Sequence, residues 1–505
     1  MEILVLLLYI NIILLKFVLV NSIRIKKLRN FYSNNYDIDI IIKGNGTQNI
    51  LSTQFNYYPL SVFVNGNQDF SCQKSCYLTE DINNITLQFS NQVNSFENMF
   101  LNLINIQEVD LSNYDVSQIS SMANMFKGCT NLISVHLSNT NTYNLRNIFS
   151  MFMECTNLQT IDFGNINTSL TKNMEKLFYE CSNLTSIDLS KFNTSQVTSM
   201  LGIFKGCKKL ENINLVNINT SLVNNMQSLF NGCLNLRSID LSNFDTSKVT
   251  TFYWMFKNCK SLNSIDLSNF NTSKLKSMNS TFLDCENLKT INFGNINTSL
   301  VENMDLLFYG CLNLISIDLS NFDTSKITTM IGMFNSCKKL QNINFGNINT
   351  SSVKNLRSLF YHCYQLQAIN LSNFDTSNVE NFQWMFNECK NLKYLNLSNF
   401  NTSKVTIIYE MFGNCKSLIY LNLYSFKLYN PLNISNVFKS VNTNNIKICI
   451  NDNITKSLLF ENNIISECED SCFSPLSSFC KYSTQKYGYI NNRYPFPLKL
   501  KLLTK

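Results

Sequence analysis

Phenylalanine recurs at one fixed interval through most of this chain, at Phe100, Phe126, Phe152 and onward in unbroken register to Phe438. A cysteine follows three positions later in twelve consecutive copies, from Cys129 to Cys415. A unit of this length is too small to bury its own apolar face, so such units fold by stacking on one another. The 26-residue period therefore predicts one elongated solenoid of about 14 units, not several globular domains.

Each unit has two halves of different character, as residues 184–207 illustrate with LTSIDLSKFNTSQVTSMLGIFKGC. Apolar and polar residues alternate around Ile187, which predicts a short strand with one face inward. The polar run Asn193–Ser195 predicts a turn with exposed hydroxyls. The asparagine repeated where the strands enter their turns, as at Asn217 and Asn373, predicts a structural ladder that satisfies turn backbone groups. Apolar residues from Val197 to Cys207 then follow at spacings of three, four and three, which predicts a short α- or 3₁₀-helix.

Stacking these units predicts an α/β solenoid of the leucine-rich-repeat type, a right-handed stack of short parallel strands and short helices. The strand side is narrower than the helical side, so we expect the strands on the concave face and the helices on the convex face. The cysteine row falls in the apolar stripe, where a thiol behaves as a small buried hydrophobe with a raised pKa. Disulfides between adjacent units and metal binding are the alternatives for this row.

The repeat consensus L-x-x-I-D-L-S-N-F-D-T-S-x-V-T-x-M-x-x-M-F-x-x-C is followed at 236–259 and 314–337 with one substitution in each. This pattern resembles the BspA-like leucine-rich-repeat surface proteins over about residues 100–441. The resemblance implies a parallel-stranded repeat fold and a secreted or cell-surface location linked with adhesion. It supplies no universal ligand residues to transfer onto this chain.

Residues 161–290 and 291–420 look like copies of one another, each five units long. The run Phe252–Phe256, which reads FYWMF, returns five units later as FQWMF at Phe382–Phe386. The array therefore grew by block duplication. A binding site in the first block would be present twice, about 24 Å apart after five strand steps.

The repeats set the domain boundaries that the sequence predicts. We expect a signal peptide at 1–22, a β-rich cap at 23–98, the solenoid at 99–441 and a cysteine-containing cap or tail at 442–505. The apolar run Ile3–Val20 has the length of a signal peptide, but basic residues follow it, so an uncleaved membrane anchor is the alternative.

Six cysteines lie outside the ladder, two before the repeats and four after them. An even number flanking an apolar stack favours disulfide-closed caps in an oxidising compartment, with zinc as the alternative for the last four. These residues are Cys72, Cys76, Cys449, Cys468, Cys472 and Cys480. Possible N-glycosylation sequons agree with export, although an Asn/Ser/Thr-rich repeat also generates them by chance. Representative acceptors are Asn45, Asn84, Asn193, Asn271, Asn349, Asn401 and Asn453.

Two sets of side chains are candidates for binding. The middle residue of the repeated Ile-x-Leu triplet is expected to face outward, and several copies carry a carboxylate there on the concave face. These are Asp162, Asp188, Asp240, Asp266 and Asp318. The only tryptophans, Trp254 and Trp384, lie two residues before the repeat phenylalanine and point away from the core stripe. The plainer alternatives are a solvated strand face and packing of each Trp against its neighbouring helix.

The residues do not assemble a catalytic site. The two histidines, His136 and His362, lie nine units apart, and there is no phosphate-binding loop, cofactor motif or metal-spaced cluster. The net charge of +7 is spread thinly, so nucleic acid is not the expected partner. The sequence predicts a non-enzymatic recognition or adhesion protein that binds a protein or glycan. A self-associating coat glycoprotein and a membrane-anchored intracellular scaffold are the alternatives.

Overall fold

The computed structural model describes residues 36–137, 142–429, 433–443 and 446–460. These residues form a β-solenoid of about 13 turns with few helices. The chain divides into two compact units at Thr171/Lys172, and each unit is described by itself. The predicted signal peptide and three of the four C-terminal cysteines lie outside the described residues. Within those residues, no helix is both long and apolar enough to cross a membrane.

Among its described residues the first unit has nine strands, seven of which form one sheet in the order β4-β3-β6-β1-β7-β8-β9. The remaining two, β2 and β5, pair with each other. The strands are β1 (Asp37–Lys43), β2 (Gly46–Asn49), β3 (Ser61–Val64), β4 (Asn67–Gln68), β5 (Ser75–Leu78), β6 (Ile82–Gln88), β7 (Ile106–Asp110), β8 (Ser134–His136) and β9 (Thr160–Asp162).

The segment before the repeats covers the open edge of the first repeat strand. Strand β1 pairs antiparallel with β7, with Ile40 opposite Val109, whereas β7, β8 and β9 pair in parallel. Every second residue of β1 is buried, including Ile38, Ile40 and Ile42, because alternate side chains face the core. A disulfide joins Cys72 to Cys76, which lies in β5. The edge strand is thus protected from pairing with another chain.

The second unit continues the repeat with short parallel strands that pair residue for residue across one period, as Ile187 does with Ile213. The strands are β10 (Ser186–Asp188), β11 (Asn212–Asn214), β12 (Ser264–Asp266), β13 (Thr290–Asn292), β14 (Ser316–Asp318), β15 (Asn342–Asn344), β16 (Tyr394–Asn396), β17 (Tyr420–Asn422) and β18 (Lys447–Cys449). One short helix, α1 (Asn453–Leu459), follows, and the Asp452 carboxylate accepts a hydrogen bond from the backbone N–H of Thr455 at its N-terminus.

The half-repeats predicted to be helices are instead strings of turns. Between Phe252 and Cys259, every second N–H donates to a carbonyl three residues earlier, as Met255 does to Phe252 at 2.9 Å. The intervening N–H groups donate to the next repeat, as Phe256 does to Thr281 at 3.0 Å. A helix would keep all of these bonds within one repeat. The spacing of apolar residues fits both structures, so the helix prediction was wrong on this side.

Two positions in each of these segments adopt a left-handed backbone conformation, four residues apart. Glycine, asparagine or serine occupies many of them, as at Gly202 and Gly206 (φ 59° and 78°) or Asn124 (φ 53°), and larger residues such as Lys176 and Leu306 occupy others. Asparagine and glycine enter this region at low cost, and bulky side chains do not. The recurrence of the left-handed conformation closes each turn and re-aims alternate N–H groups toward the neighbouring repeat.

The ladder of phenylalanines and cysteines forms the interior, as predicted. Successive phenylalanine rings stack 5.4–5.9 Å apart in the second unit, for example Phe230 on Phe256 at 5.5 Å. All twelve ladder cysteines are buried and form no disulfide. The Cys259 thiol donates to the Phe230 carbonyl oxygen at 3.1 Å, and this bond recurs along the ladder. Leu103 replaces cysteine in the first repeat, where no earlier repeat offers such a carbonyl.

A threonine in the Asp/Asn-Thr-Ser turn also joins adjacent repeats, although we expected this turn to expose its hydroxyls. These threonines are buried, and each hydroxyl bonds the backbone of the next repeat. Thr194 Oγ1 donates to the Asn219 carbonyl at 2.8 Å and accepts from the Asn219 N–H at 2.8 Å. The buried members are Thr142, Thr168, Thr194, Thr220, Thr246, Thr272, Thr298, Thr324, Thr350, Thr376 and Thr402. Only the serine and Asp/Asn positions of the turn face solvent.

The predicted asparagine ladder is confirmed at five positions, which are Asn217, Asn243, Asn321, Asn373 and Asn399. Asn217 Nδ2 donates to the Ser190 carbonyl at 2.9 Å, and Asn373 Nδ2 donates to the Gly346 carbonyl at 2.9 Å. Each bond satisfies a turn carbonyl of the preceding repeat, 27 residues earlier in the chain. The repeated asparagine is therefore a structural residue.

Candidate functional site

The five strand aspartates are exposed, as predicted, but each also has a structural role. One carboxylate oxygen accepts the backbone N–H two residues later, as Asp188 does from Ser190 and Asp240 from Ser242, at 2.8 and 2.9 Å. Hydrogen bonds from the Ser190 side chain and backbone lower the pKa of Asp188. Asp162, Asp266 and Asp318 form the same bond. The strand aspartates thus cap the turn, and their role in binding stays a prediction.

Two of these carboxylates also bond across the sheet. Asn292 Nδ2 donates to Asp266 Oδ1, and Asn344 Nδ2 donates to Asp318 Oδ1, both at 3.1 Å. Within the part of the chain that the structure describes, no three His, Cys, Asp or Glu residues are grouped to hold a metal ion. All seven asparagines of the predicted sequons are exposed. Their glycosylation stays a prediction.

Trp254 occupies the first left-handed position of its turn, with φ 58°. The predicted neighbouring helix is absent, and the ring is half-buried beside groups from its own turn. It stacks on Tyr253 with centroids 4.2 Å apart, and the Lys257 ammonium lies 4.5 Å from the ring centroid. Trp254 therefore forms a small local sandwich at the surface.

Trp384 has the same backbone conformation, with φ 57°, but lies in a larger group of rings from three successive turns. Its ring is 6.1 Å from Tyr361 and 5.9 Å from Tyr409 between centroids. Tyr361 stacks on His362 at 3.8 Å, and His362 lies 5.5 Å from Tyr364. We call these five half-buried rings the Trp384 cluster: Tyr361, His362, Tyr364, Trp384 and Tyr409.

Cations surround the Trp384 cluster. The Arg357 guanidinium lies 4.9 Å from the Trp384 ring centroid, and the Lys390 ammonium lies 4.6 Å from that of Tyr364. Lys338 lies 5.9 Å from the same tyrosine on the preceding turn. Desolvation lowers the pKa of His362, with Lys338 and Lys390 acting in the same direction against Glu388. The imidazole is accordingly held in its neutral form.

Two carboxylates, Glu388 and Glu410, lie next to the cluster and are each paired with a lysine. Glu388 pairs with Lys390 at 3.0 Å. Glu410 is buried, where it accepts from Asn387 Nδ2 at 2.8 Å and pairs with Lys439 at 2.8 Å. Because these contacts come from successive turns, the rings are held on a scaffold and not on a free loop.

Sequence reasoning identified Trp384 but missed the rings around it. A position-by-position comparison of the duplicated blocks would have found them, because the repeat register aligns the two copies without a gap. The first block carries Asn231, Gly232, Leu234 and Asn279 where the second carries Tyr361, His362, Tyr364 and Tyr409. The Trp384 cluster therefore belongs to one copy only.

One protein-family model matches the repeats of this chain. The family model described as "Mycoplasma protein of unknown function, DUF285" matches residues 68–186, 94–214, 172–291, 277–370 and 338–451. These overlapping matches span about three quarters of the chain. The chain belongs to the DUF285 family. The finer resemblance of this DUF285 protein to the BspA-like surface proteins stays a prediction, and no curated protein matches the chain.

Solved structures similar to this DUF285 protein are leucine-rich-repeat proteins at low identity. One, from Leptospira interrogans, is 15% identical over 70% of this chain and 95% of its own, with a TM-score of 0.23. An internalin from Listeria monocytogenes is 13% identical over 68% and 83%, with a TM-score of 0.21. The Drosophila Toll–Spatzle complex gives 14% identity over 67% and 56%, with a TM-score of 0.22. TM-scores this low carry no statement about function.

Proposed function

We propose that this DUF285 protein is a non-enzymatic recognition or adhesion protein, secreted or displayed on the cell surface, that binds a protein or glycan partner. The Trp384 cluster carries the proposal. The interior rows repeat in every turn, and the cluster appears in one of two duplicated blocks. The stack alone does not require it, because the equivalent turns of the first block carry asparagine, glycine and leucine at the same positions. We call these equivalent turns sibling turns and the first block the sibling block.

Trp384 holds a strained backbone conformation within the cluster. A bulky residue in the left-handed region costs about 1–2 kcal/mol relative to a glycine there. Glycine occupies this position at Gly202 and Gly332, but Lys176, Trp254 and Leu306 share the strained conformation, so the neighbouring rings and not the strain set Trp384 apart. Strain retained beside half-exposed aromatic rings is typical of binding surfaces, where Trp, Tyr and Arg dominate the affinity.

The first experiment replaces the cluster by the residues of its own sibling block. The sibling-swap variant carries Tyr361→Asn, His362→Gly, Tyr364→Leu and Tyr409→Asn, each a residue that the same fold accommodates at the equivalent position of the first block. Full-length wild type and variant are compared for retention on intact cells and extracellular matrix. We expect the sibling-swap variant to lose retention while its thermal unfolding stays cooperative.

Two controls separate the surfaces. Trp254→Ser changes the sibling turn and should leave retention intact. Asp188→Lys with Asp240→Lys changes the strand row; loss of retention in this variant alone would move the site to the strands. Retention that survives both the sibling-swap variant and the strand-row variant, together with self-association by sedimentation, would support the coat alternative instead. Glycosidase-sensitive mass on the native protein tests export, and its absence would favour the intracellular scaffold.

A further inference from the structure

The cations of the Trp384 cluster outnumber its carboxylates. Glu388 and Glu410 are each paired, with Lys390 and Lys439 respectively. Among the described residues, Arg357 and Lys338 form no ion pair, although each lies over a ring of the cluster. Both side chains are exposed. The cluster therefore presents two uncompensated positive charges beside aromatic surface.

The rings connect these charges into one surface. From Tyr409 through Trp384, Tyr361 and His362 to Tyr364, each ring contacts the next at centroid distances of 3.8–6.1 Å. Lys338 and Tyr409 are three turns apart, which corresponds to about 14 Å along the stack. An extended peptide of four to five residues covers this length at about 3.3 Å per residue.

We propose that the Trp384 cluster docks an acidic segment of a protein partner, an assignment that rests on the proposed recognition function. Carboxylates of the segment pair with Arg357 and Lys338, and its apolar or aromatic side chains pack on the rings. Arg357 presents a planar fork of donors that suits a carboxylate, and its stacking on Trp384 fixes the orientation of that fork. Trp, Tyr and Arg are the residue types that dominate protein–protein affinity.

The two anchoring carboxylates favour this partner over a nucleic acid. A single strand of RNA or DNA also uses cations and stacked rings, but it brings a continuous row of phosphates. The cluster lysines on the two turns after Arg357 are already paired, with Glu388 and Glu410, so phosphates beyond Arg357 and Lys338 would meet no unpaired cation of the cluster. A peptide places its few carboxylates where Arg357 and Lys338 meet them and leaves the remainder of the surface to uncharged side chains.

The test measures fluorescence anisotropy of labelled probes with the full-length protein at two salt concentrations. The probes are a random Glu–Tyr copolymer, a Lys–Tyr copolymer, hyaluronate as an acidic polysaccharide, and a 20-nucleotide oligo-dT. We expect the Glu–Tyr copolymer to bind best and to weaken as salt rises. Arg357→Gln with Lys338→Gln, and separately the sibling-swap variant, should each weaken this binding about tenfold.

A charge-matched control removes two cations from the first block, through Lys208→Gln with Lys257→Gln, and should leave Glu–Tyr binding unchanged. Equal weakening by the control would attribute binding to overall charge and overturn the proposal. Preference for hyaluronate, oligo-dT or the Lys–Tyr copolymer would overturn it as well, as would no binding of the Glu–Tyr copolymer.

Cell retention distinguishes this assignment from the proposed function. If Arg357→Gln with Lys338→Gln keeps full retention on cells while the sibling-swap variant loses it, the cluster binds a partner that is not acidic, and only the present inference fails. If both variants keep full retention, the proposed function of the cluster fails with it.

Discussion

Trp254 and Trp384 occupy the same position in two copies of one five-turn block, with the same left-handed backbone. Around Trp254 there is one stacked tyrosine and one lysine; around Trp384 there are four further rings and an arginine. Beneath both, the phenylalanine column and the thiol bonds to it are alike. The comparison teaches that stacking fixes the interior of each turn and leaves its outer face free to diverge, so function is to be sought where sibling turns differ.

Alkaline unfolding tests the shared interior and should give the largest effect. Desolvation by burial raises the pKa of thiols in both blocks, such as Cys259 and Cys389, above the usual value of 9.0. The folded chain keeps these protons and the unfolded chain releases them, so the stabilisation is complete below about pH 9 and is lost as pH rises toward the folded pKa. Each thiol contributes a slope of about 1.4 kcal/mol per pH unit.

With five ladder thiols in each block, the free energy of unfolding should fall by roughly 10 kcal/mol within one to two pH units. Urea unfolding between pH 7 and pH 11 measures this fall. Cys259→Val and Cys389→Val should reduce the slope equally. Rapid reaction of a thiol reagent with the native protein at pH 8 would show that the ladder is accessible and the premise wrong.

Truncating one ring of the phenylalanine column should cost the same in either block. Phe256 and Phe386 are both fully buried between stacked rings. Phe256→Ala and Phe386→Ala each leave a cavity and should lower the free energy of unfolding by about 3–5 kcal/mol. Urea titration of the two variants checks the prediction; a difference above about 1.5 kcal/mol would break the equivalence of the interiors.

Replacing each tryptophan by asparagine should separate the two blocks. Asparagine relieves about 1–2 kcal/mol of left-handed strain at both positions. Trp254 loses one ring contact and one cation contact, of similar total magnitude, so Trp254→Asn should stay within about 0.5 kcal/mol of wild type. Trp384 loses contacts with Tyr361, Tyr409 and Arg357, so Trp384→Asn should destabilise by about 1 kcal/mol. Equal stabilities in urea would mean that the cluster is not packed as described.

The smallest effect concerns mild acid and only the second block. Because burial, Lys338 and Lys390 lower the pKa of His362 against the opposing influence of Glu388, the folded state favours the neutral imidazole. The unfolded chain binds the proton first, so stability is complete above about pH 6.5 and falls as pH drops below it. His362→Gln should make the urea midpoint less dependent on pH between pH 7.5 and 5. If the same pH dependence persists in this variant, it arises from other titrating groups.

The sequence predicted the parts of the fold that depend on repetition. The period indicated the stack, the Phe and Cys rows indicated its interior, and the repeated asparagine indicated a structural ladder. The helix prediction for the second half of each repeat was wrong because apolar residues at Met200, Phe204 and Cys207 suit a helix as well as turns. The signal that was missed is glycine, asparagine or serine four residues apart, as at Gly202 and Gly206. A helix does not require those residues there, whereas left-handed turns favour them.

The threonine row was read as exposed because polar turns usually face solvent. Its unbroken identity in eleven consecutive turns, from Thr142 to Thr402, was the contrary signal. The residue type at a solvent-facing position usually varies between repeats, whereas the Thr194 hydroxyl must both donate to and accept from the backbone of the next repeat. The ring cluster was missed for a different reason: Tyr361 and Tyr409 lie almost two whole repeats apart in the chain, and only the stacking of turns brings them together.

Because the hydrogen bonds between turns join positions at the same few intervals, whichever turn they leave, the chain has an in-built ruler. Deleting one complete coil would give every inter-turn hydrogen-bonding group an equivalent new partner. Deleting a single residue would instead misalign the donors and acceptors that follow it in that coil. Proteins with this architecture can thus lengthen or shorten only in whole coils, which changes the separation of two outer-face sites within one unit in fixed increments of about 4.8 Å.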